Sequence, residues 1–327
     1  MGGDRGPAVV VPAAVAFARA RPDVQLLLVG QEGAIRQAGE TLPDNCSVRA
    51  ASEVIAMDEA PASALRRKRD SSMRVALECV AGGEAQACVS AGNTGALMAI
   101  SRFVLRTLEG IERPGIVRSL PSMKGTTWML DLGANAQCEP EQLLQFATMG
   151  AVLVEAVSDI ATPQVGLLNI GSEATKGTDT VQRAADLIAA SGLNYHGYVE
   201  GDDIFRGTTD VVVCDGFTGN VALKTSEGLA QLVVQRLRGE FSRNLLTRLS
   251  ALVARPALRR FGASFDHRRY NGASLLGLRG VVIKSHGSTD AFGFRHAIDE
   301  ALIEGTSGVP ARIGERLGAV LQRARVA

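Results

Sequence analysis

One unit recurs along this chain and limits the folds it can adopt: a short apolar run, a turn of glycine and polar residues, and a helical pattern. The clearest copy is 87–98, ACVSAGNTGALM, where the apolar run ends in the turn 90–95. Four further apolar runs end in similar turns: 126–132, 165–170, 210–214 and 280–284. Apolar strands that alternate with helices are typical of a parallel sheet with helices on both faces, so we predict an α/β fold with a mainly parallel sheet.

Composition narrows the class of protein. The chain has 327 residues, enough for one large α/β domain or two smaller ones, and 46% of them are hydrophobic. A net charge of +1 gives no global attraction to nucleic acid, so no nucleic-acid partner is expected. The five cysteines form no CxxC pair, which favours reduced cysteines of a cytoplasmic protein over disulfides or metal ligands. The apolar stretch 7–18 follows no basic segment and contains Pro12, which favours a first helix over a signal sequence.

The five turns carry the candidate binding residues. In an open parallel sheet the ligand crevice lies at the carboxyl ends of the strands, so we expect all five turns to face one anion-binding cleft. The side chains available there are Asn93, Thr94, Asn135, Lys176, Asn220, Lys224, Ser285 and His286. Alternatively, glycine only keeps these loops tight, and His286 is a structural residue. Neither GxGxxG after a strand nor GxxxxGK[ST] is present, which disfavours dinucleotide binding and NTP hydrolysis.

Two basic segments stand out in a nearly neutral chain. Segment 238–269 holds eight arginines against two acidic residues, a local net charge of +6, with apolar residues at helical spacing. A basic amphipathic helix of this kind can contact an anionic membrane surface, pack on a second subunit, or be buried. The run 66–69, RRKR, is either a solvated helix end or a docking patch for an acidic partner or a phosphate.

The chemistry that these residues permit is stabilisation of negative charge. Donors and cations can bind a small anion and stabilise an oxyanion as it develops. Attack of phosphate on a thioester fits such a site, because a thiolate with a pKa of about 8.5 leaves readily and positioning replaces a covalent intermediate. No metal and no cofactor is expected.

The sequence resembles the phosphate acyltransferases of bacterial phospholipid synthesis, the PlsX family. The blocks that carry the resemblance are MGGD (1–4), DSSMRVALE (70–78), VSAGNTGALMA (89–99), LDLGANAQCEPEQLLQFA (130–147), VGLLNIGSEATKG (165–177), VEGDDIF (199–205), DVVVCDGFTGNVALKT (210–225) and NGASLLGLRGVVIKSHGS (271–288). The resemblance implies a Rossmann-like three-layer α/β/α fold, one domain over 1–327, and a projecting amphipathic helical element at about 232–269 for dimerisation and lipid contact.

The resemblance also implies an activity. It is transfer of a long-chain fatty acyl group from acyl carrier protein to orthophosphate, in a cytoplasmic homodimer that associates peripherally with an anionic membrane. The acyl phosphate would be consumed by a membrane glycerol-3-phosphate acyltransferase. The alternatives are a phosphotransacetylase-like enzyme that uses acyl-CoA and a non-catalytic, membrane-associated carrier-binding scaffold. A dehydrogenase is less favoured, because the acidic residues form no obvious metal cluster.

Roles for single residues follow from these motifs and from charge. We predict that Lys176 and Lys224 hold phosphate or the oxyanion, and that His286 donates to phosphate or accepts a proton. The residues predicted to orient the substrates are Asn93, Thr94, Gly95, Asn135, Asn220 and Ser285. Arg67 is a candidate contact for the carrier protein. Asp131 and Asp215 either order these donors or cap loops.

The sequence departs from the family pattern in two places. Members of the family begin with a short strand and an aspartate before MGGD, whereas this sequence starts at Met1, which suggests a truncated or misassigned start. Ser172 stands where an acidic residue is usual, and Glu173 is expected to take over any role in ordering Lys176.

Overall fold

The computed structural model describes residues 1–39, 41–264 and 266–326. The strands are β1 (Leu26–Gly30), β2 (Cys46–Ala50), β3 (Ala87–Ser90), β4 (Gly115–Ser122), β5 (Gly125–Leu130), β6 (Val165–Leu168), β7 (Tyr195–Val199), β8 (Val211–Val213), β9 (Ala273–Leu276) and β10 (Val281–Lys284). The helices are α1 (Pro7–Ala20), α2 (Glu32–Gln37), α3 (Pro61–Arg67), α4 (Ser72–Ala81), α5 (Thr94–Val104), α6 (Pro140–Val157), α7 (Asp179–Ala190), α8 (Asp203–Arg206), α9 (Gly216–Ser242), α10 (Leu245–Val253), α11 (Arg255–Ser264), α12 (Ala291–Ser307) and α13 (Val309–Val326). A 3₁₀ turn, His267–Tyr270, joins α11 to β9.

The strands form two sheets within the described residues. One sheet has the order β3-β10-β9-β4-β5-β8-β6-β7, and β1 and β2 pair in parallel by themselves. Most neighbours in the large sheet are parallel, which confirms the predicted mainly parallel sheet. An apolar cavity of about 170 Å³ lies between β1 and β3, lined by residues that include Met1, Leu28 and Val89.

Two central strands, β4 and β9, were not predicted, and they change the geometry of the turns. Strand β9 is antiparallel to β10 and to β4, and β4 is antiparallel to β5. Strands β3 and β10 therefore run opposite to β5, β6, β7 and β8. The five turns therefore do not share one edge of the sheet, and the expectation that all five face one cleft is wrong: residues of four turns line the cleft described below, and the turn after β6 does not.

The register of the central strands nevertheless brings opposing strand ends together. It pairs Leu130 with Val117, Val117 with Ser274, and Ser274 with Ile283. The last residue of β5 is therefore level with Ile283, one residue before the end of β10, across β4 and β9. Turns that follow strands of opposite direction thus meet over the middle of the sheet.

Helices cover both faces of the large sheet. On one face α6 buries fourteen of its eighteen residues, and Val117 and Leu130 pack against it within one apolar cluster. On the other face Ile116 and Met129 pack with residues of α4 and α5 such as Leu97. Side chains alternate between faces along each strand, so β4 contributes to both cores. The predicted three-layer α/β/α architecture is confirmed.

The basic segment is helical, as predicted, but it is not one helix. Helix α9 ends at Ser242, and Asn244 caps α10 by accepting a hydrogen bond from the Thr247 amide at 2.9 Å. We call residues 228–264 the arm; it comprises most of α9 with α10 and α11. Neither α10 nor α11 has a buried residue. None of the described helices has the length and apolar character needed to cross a membrane.

The start of α9 packs unusually closely on the turn after β5. A Cβ at Gly219 would lie 1.9 Å from the carbonyl oxygen of Asp131, and one at Gly216 would lie 2.6 Å from that of Asn135. The Gly216 amide donates to the Asn135 carbonyl at 2.7 Å. Because both contacts are with backbone, a larger side chain at either position forces the helix away from the turn.

We expect Gly219→Ala to destabilise the protein by about 3 kcal/mol or more, because the added methyl group collides with backbone that cannot move without losing hydrogen bonds. Urea unfolding followed by circular dichroism measures the change. Gly228→Ala is the matched control. Gly228 lies on the same helix, and a Cβ there would have no atom within 4 Å, so we expect the free energy of unfolding to rise by about 1 kcal/mol from helix propensity. Equal stability of the two variants would contradict the proposed packing constraint.

Candidate active site

A polar cleft of about 440 Å³ lies over β4 and β9, on the α5 face of the sheet. Its walls are the first three turns of α9, the turn after β10 and the N-terminus of α5. The side chains that matter for its chemistry are Thr94, Arg118, Asn220, Lys224, Glu227, Lys284, Ser285 and His286. These side chains come together because the ends of strands that run in opposite directions meet over the middle of the sheet.

Three cations surround the cleft, and one carboxylate holds two of them. Glu227 accepts a hydrogen bond from Lys224 Nζ at 2.9 Å and one from Arg118 Nη1 at 3.0 Å. Arg118 also donates through Nε to the Tyr270 carbonyl at 2.6 Å. Burial alone would raise the pKa of Glu227, but the hydrogen bond from Lys224 and the charges of Lys224 and Arg118 outweigh it and hold that pKa low. The carboxylate is therefore ionised and fixes both cations.

Lys284, the last residue of β10, is the third cation. Its pKa is lowered to about 8, chiefly by burial; the charge of Asp4 acts to raise it and the positive charge of Lys224 acts to lower it. Its Nζ donates to the Ser285 carbonyl. Asp4 is brought near by a hydrogen bond from its amide to the Gly287 carbonyl at 2.9 Å. An anion in the cleft would stabilise the charged form of Lys284.

The imidazole of His286 is neutral and oriented. Burial lowers its pKa, and Lys224 and Lys284 lower it further. The Ser288 amide donates to His286 Nδ1 at 3.3 Å, and the Ser288 hydroxyl lies 2.9 Å from the same atom. Because a backbone N–H can only donate, Nδ1 is the acceptor and the ring proton resides on Nε2. Of the two predicted roles, this tautomer favours donation to phosphate over proton acceptance.

Asn271 organises the turn that carries His286. Its side-chain amide donates to Ser285 Oγ at 2.8 Å and to the Gly293 carbonyl at 2.7 Å, and its carbonyl oxygen accepts from the His286 amide at 2.9 Å. The side chain is buried, so these bonds are made without competition from water. The turn 285–288 is thereby fixed to both β9 and α12.

Asp131 organises the turn after β5, on the opposite wall of the cleft. Its buried carboxylate accepts hydrogen bonds from the amides of Ile116, Gly133, Ala134 and Asn135 and from the Asn135 side chain, at 2.7 to 3.2 Å. Asp215 caps α9 by accepting from the Thr218 amide at 2.7 Å. Of the two predicted roles, Asp131 orders the turn around it and Asp215 caps a helix.

The structure brings together only part of the predicted residue set. Thr94, Asn220, Lys224, Ser285 and His286 line the cleft. Asn93 and Asn135 do not line it. The side-chain amide of Asn93 donates to the Met57 carbonyl at 2.8 Å, and that of Asn135 donates to the Pro114 carbonyl at 2.9 Å. Their side chains thus hold turns in place. Gly95 packs on Pro61 at the start of α3.

Lys176 and Arg67 also lie outside the cleft. Lys176 is exposed in the loop after β6, where its amide donates to the Glu173 carbonyl at 3.0 Å. That loop borders a second groove of about 980 Å³ on the other side of α9, lined by residues such as Asn169 and Gly177. Arg67 is exposed at the C-terminal end of α3.

Sequence reasoning missed Arg118, Glu227, Lys284 and Asn271. Arg118 lies on β4, a strand with a proline and no clean apolar run, and Glu227 lies about three turns into α9. Lys284 ends the apolar run 280–284, and its charge at that position is the signal that could have identified it. Among the described residues, no three His, Cys, Asp or Glu side chains are grouped so as to hold a metal ion.

A family model and a known protein each match nearly the whole sequence. Residues 1–312 match the family model described as "Fatty acid synthesis protein". The chain is 59% identical to the phosphate acyltransferase of Paraburkholderia xenovorans, over 99% of this chain and 90% of that protein.

Solved structures show the fold. A phosphotransacetylase from Streptococcus pyogenes superposes with a TM-score of 0.61 at 16% identity, over 91% of this chain and 90% of that one. A putative 4-hydroxythreonine-4-phosphate dehydrogenase from Salmonella typhimurium superposes with a TM-score of 0.53 at 13% identity, over 93% and 97%. At these identities the likeness concerns the architecture alone.

We expect the affinity of the cleft for sulfate to fall as the pH rises through about 8, because Lys284 loses its charge there while sulfate stays dianionic. Isothermal titration of sulfate across this range measures the effect, which should be about tenfold. Lys284→Met should bind sulfate weakly at neutral pH without a further step near 8, and Lys284→Arg should remove the step while keeping the affinity. Lys124→Met, an exposed lysine in the β4–β5 hairpin, is the control. A parallel decline in the wild type and Lys284→Met would refute the assignment.

Proposed function

This chain belongs to the fatty acid synthesis protein family, and we propose that it transfers a long-chain acyl group from acyl carrier protein to orthophosphate. It is an acyltransferase, and its substrates are phosphate and an acyl donor. The carrier-bound donor and a place in phospholipid synthesis are part of the proposal. One observation carries it: Arg118, Lys224 and Lys284 converge on a cleft of about 440 Å³ with a single carboxylate among them.

The charge of the cleft suits phosphate. With Glu227 ionised and His286 neutral, the lining has a net charge of about +2 when Lys284 is protonated, which matches a phosphate dianion. The fixed donors need no reorganisation as negative charge moves from phosphate to the thioester oxygen, which is the basis of electrostatic stabilisation.

The reaction then balances without a further reagent. A phosphate oxygen attacks the thioester carbonyl carbon, the C–S bond breaks, and the proton of hydrogen phosphate ends on the thiol that leaves. Lys224 stabilises the oxyanion, and the Nε2–H of His286 donates to phosphate. Lys284, whose pKa of about 8 is near that of a simple thiol, gives its ammonium proton to the leaving sulfur and then takes up the proton of hydrogen phosphate. Phosphate, held by several donors, is positioned for attack.

The remaining residue roles stay proposals. Neither Lys176 nor Asn135 lines the cleft. We propose that Lys176 contacts substrate from the groove beside the loop after β6, and that Asn135 acts by holding the Asp131 carboxylate and the turn around it. Asn93 and Gly95 position the N-terminus of α5, whose first residue, Thr94, faces the cleft. Arg67 is proposed as a contact for the acidic carrier protein, since α3 packs on α5.

We also propose that the protein is a cytoplasmic homodimer that associates peripherally with an anionic membrane. The arm supports this proposal: Leu245, Leu246, Leu249, Leu252 and Val253 of α10 are 60 to 86% exposed. Apolar side chains exposed on a basic helix are suited to the boundary of an anionic bilayer or to a partner subunit. The acyl phosphate, a reactive anhydride, would there reach a membrane glycerol-3-phosphate acyltransferase.

We expect the purified protein to form acyl phosphate from palmitoyl-acyl carrier protein only when phosphate is present, with hydroxylamine trapping as the assay. Lys224→Ala should lower kcat/KM by about 10² to 10³, because it removes a donor to the oxyanion. Lys124→Ala should leave the rate unchanged. Turnover with acyl-CoA alone would favour the phosphotransacetylase alternative. Full binding of carrier protein without turnover would favour the scaffold.

We expect Leu246→Glu/Leu249→Glu to abolish cosedimentation with phosphatidylglycerol vesicles, because the two carboxylates must be removed from water and repel the anionic surface. Ser250→Glu, an exposed polar position on the same helix, is the matched control for added charge and should retain most of the binding. Analytical ultracentrifugation separates the two uses of α10. Loss of the dimer with unchanged vesicle binding would assign these leucines to the subunit interface instead.

A further inference from the structure

A further groove, of about 910 Å³ and distinct from the one beside the loop after β6, begins where the cleft ends and follows the arm. Glu227 lines both spaces. One wall is a single face of α9, made by Glu227, Ala230, Gln231, Val234, Gln235 and Arg238. Their spacing of three and four residues places them in one stripe along the helix. The groove therefore leads from the cations of the cleft to Arg238.

The facing wall is a matching stripe of α11. Arg259, Gly262 and Ala263 of α11 form this wall at the same spacing, and Asp266 and Arg268, at the 3₁₀ turn that follows, continue it. The two small residues leave room between the helices, since a Cβ at Gly262 would have no atom within 4 Å. Asp266 is bound by Arg268 at 2.7 Å and Glu227 by Lys224 at 2.9 Å. The net positive charge of the groove therefore comes from Arg238 and Arg259, at its far end.

The length of the groove is defined by the helix. Eleven residues separate Glu227 from Arg238, which corresponds to about 16 Å along an α-helix. A pantetheine arm, with two amide bonds and roughly the backbone length of five extended residues, spans about 16 to 18 Å from its sulfur to its phosphate. A thioester placed at Glu227 thus puts the phosphate of the arm beside Arg238.

The side chains along the groove match that arm in order. Gln231 and Gln235 can each donate to and accept from an amide, Ala230 and Val234 offer apolar surface to the methylene and methyl groups, and two arginines can bind a phosphodiester. We propose that this groove binds the phosphopantetheine arm of the acyl carrier protein, with the phosphodiester between Arg238 and Arg259. The proposal rests on the proposed function, which supplies a thioester donor.

A second copy of this chain is the competing occupant. An interface between copies would use the apolar surface of the arm, but the exposed residues of α10, Leu245 to Val253, are not part of the groove lining. Charge favours an anionic occupant, and polar residues at regular spacing favour an extended one. The groove is therefore assigned to the donor and the leucines to other contacts.

The test compares three donors that differ in one group each: octanoyl-acyl carrier protein, S-octanoyl pantetheine 4′-phosphate and S-octanoyl pantetheine. Arg238→Ala/Arg259→Ala should raise the KM of the first two by about tenfold or more, because the phosphate loses its charged partners. The KM of S-octanoyl pantetheine, the KM of inorganic phosphate and kcat should not change. The matched control is Arg236→Ala/Arg260→Ala, which removes two exposed arginines from the same helices outside the groove.

The outcomes separate this inference from the proposed function. Equal loss with the phosphorylated and unphosphorylated donors, the same loss in the control, or a change from dimer to monomer on sedimentation would overturn it. Turnover of octanoyl-CoA with no turnover of the carrier-bound donor would overturn the assignment to carrier protein. If the wild type turned over no donor, the proposed function would fail, and calorimetric titration of S-octanoyl pantetheine 4′-phosphate against both variants would still decide the groove.

Discussion

The buried carboxylate of Asp131 is the contact on which the functional half of the molecule depends. It accepts hydrogen bonds from four backbone amides and one side chain, and so fixes the turn after β5. The first turn of α9 packs on that turn at distances that only glycine permits. Because α9 carries Lys224 and Glu227 and then continues into the arm, the position of this one carboxylate determines the wall of the cleft, one wall of the groove and the base of the arm.

The cleft combines groups that are already fixed with groups that can respond to an occupant. Arg118 and Lys224 are held by Glu227 without a ligand, so binding of phosphate, as proposed, would not require them to be ordered first. Lys284 and His286 are different, because burial and neighbouring positive charge leave both with lowered pKa values. The site thus combines two fixed charges with two groups whose protonation responds to the occupant.

The sequence predicted the parts of the structure that obey local rules. Apolar runs before glycine turns identified β3, β5, β6, β8 and β10. Strand β9 was not identified because it has only four residues, and β4 was not identified because polar residues and Pro121 interrupt its apolar pattern. Lys224, Asn220 and His286 were predicted to share a cleft and do. Arg118 and Glu227 could not be predicted, since their pairing joins residues 109 positions apart.

The central antiparallel strands have a consequence for how the protein folds. The cleft draws Thr94, Arg118, Lys224 and Lys284 from segments separated by as many as about 190 positions, and none of these segments forms a pocket alone. The site therefore requires the whole tertiary structure, since closing such long loops is costly unless the contacts between the segments form. A ligand that needs the complete cleft binds only the native chain, so under the proposed function inorganic phosphate stabilises the folded protein in proportion to the logarithm of its concentration. The substrate of the reaction is then also a folding ligand, and the stability of the chain follows the phosphate supply of its surroundings.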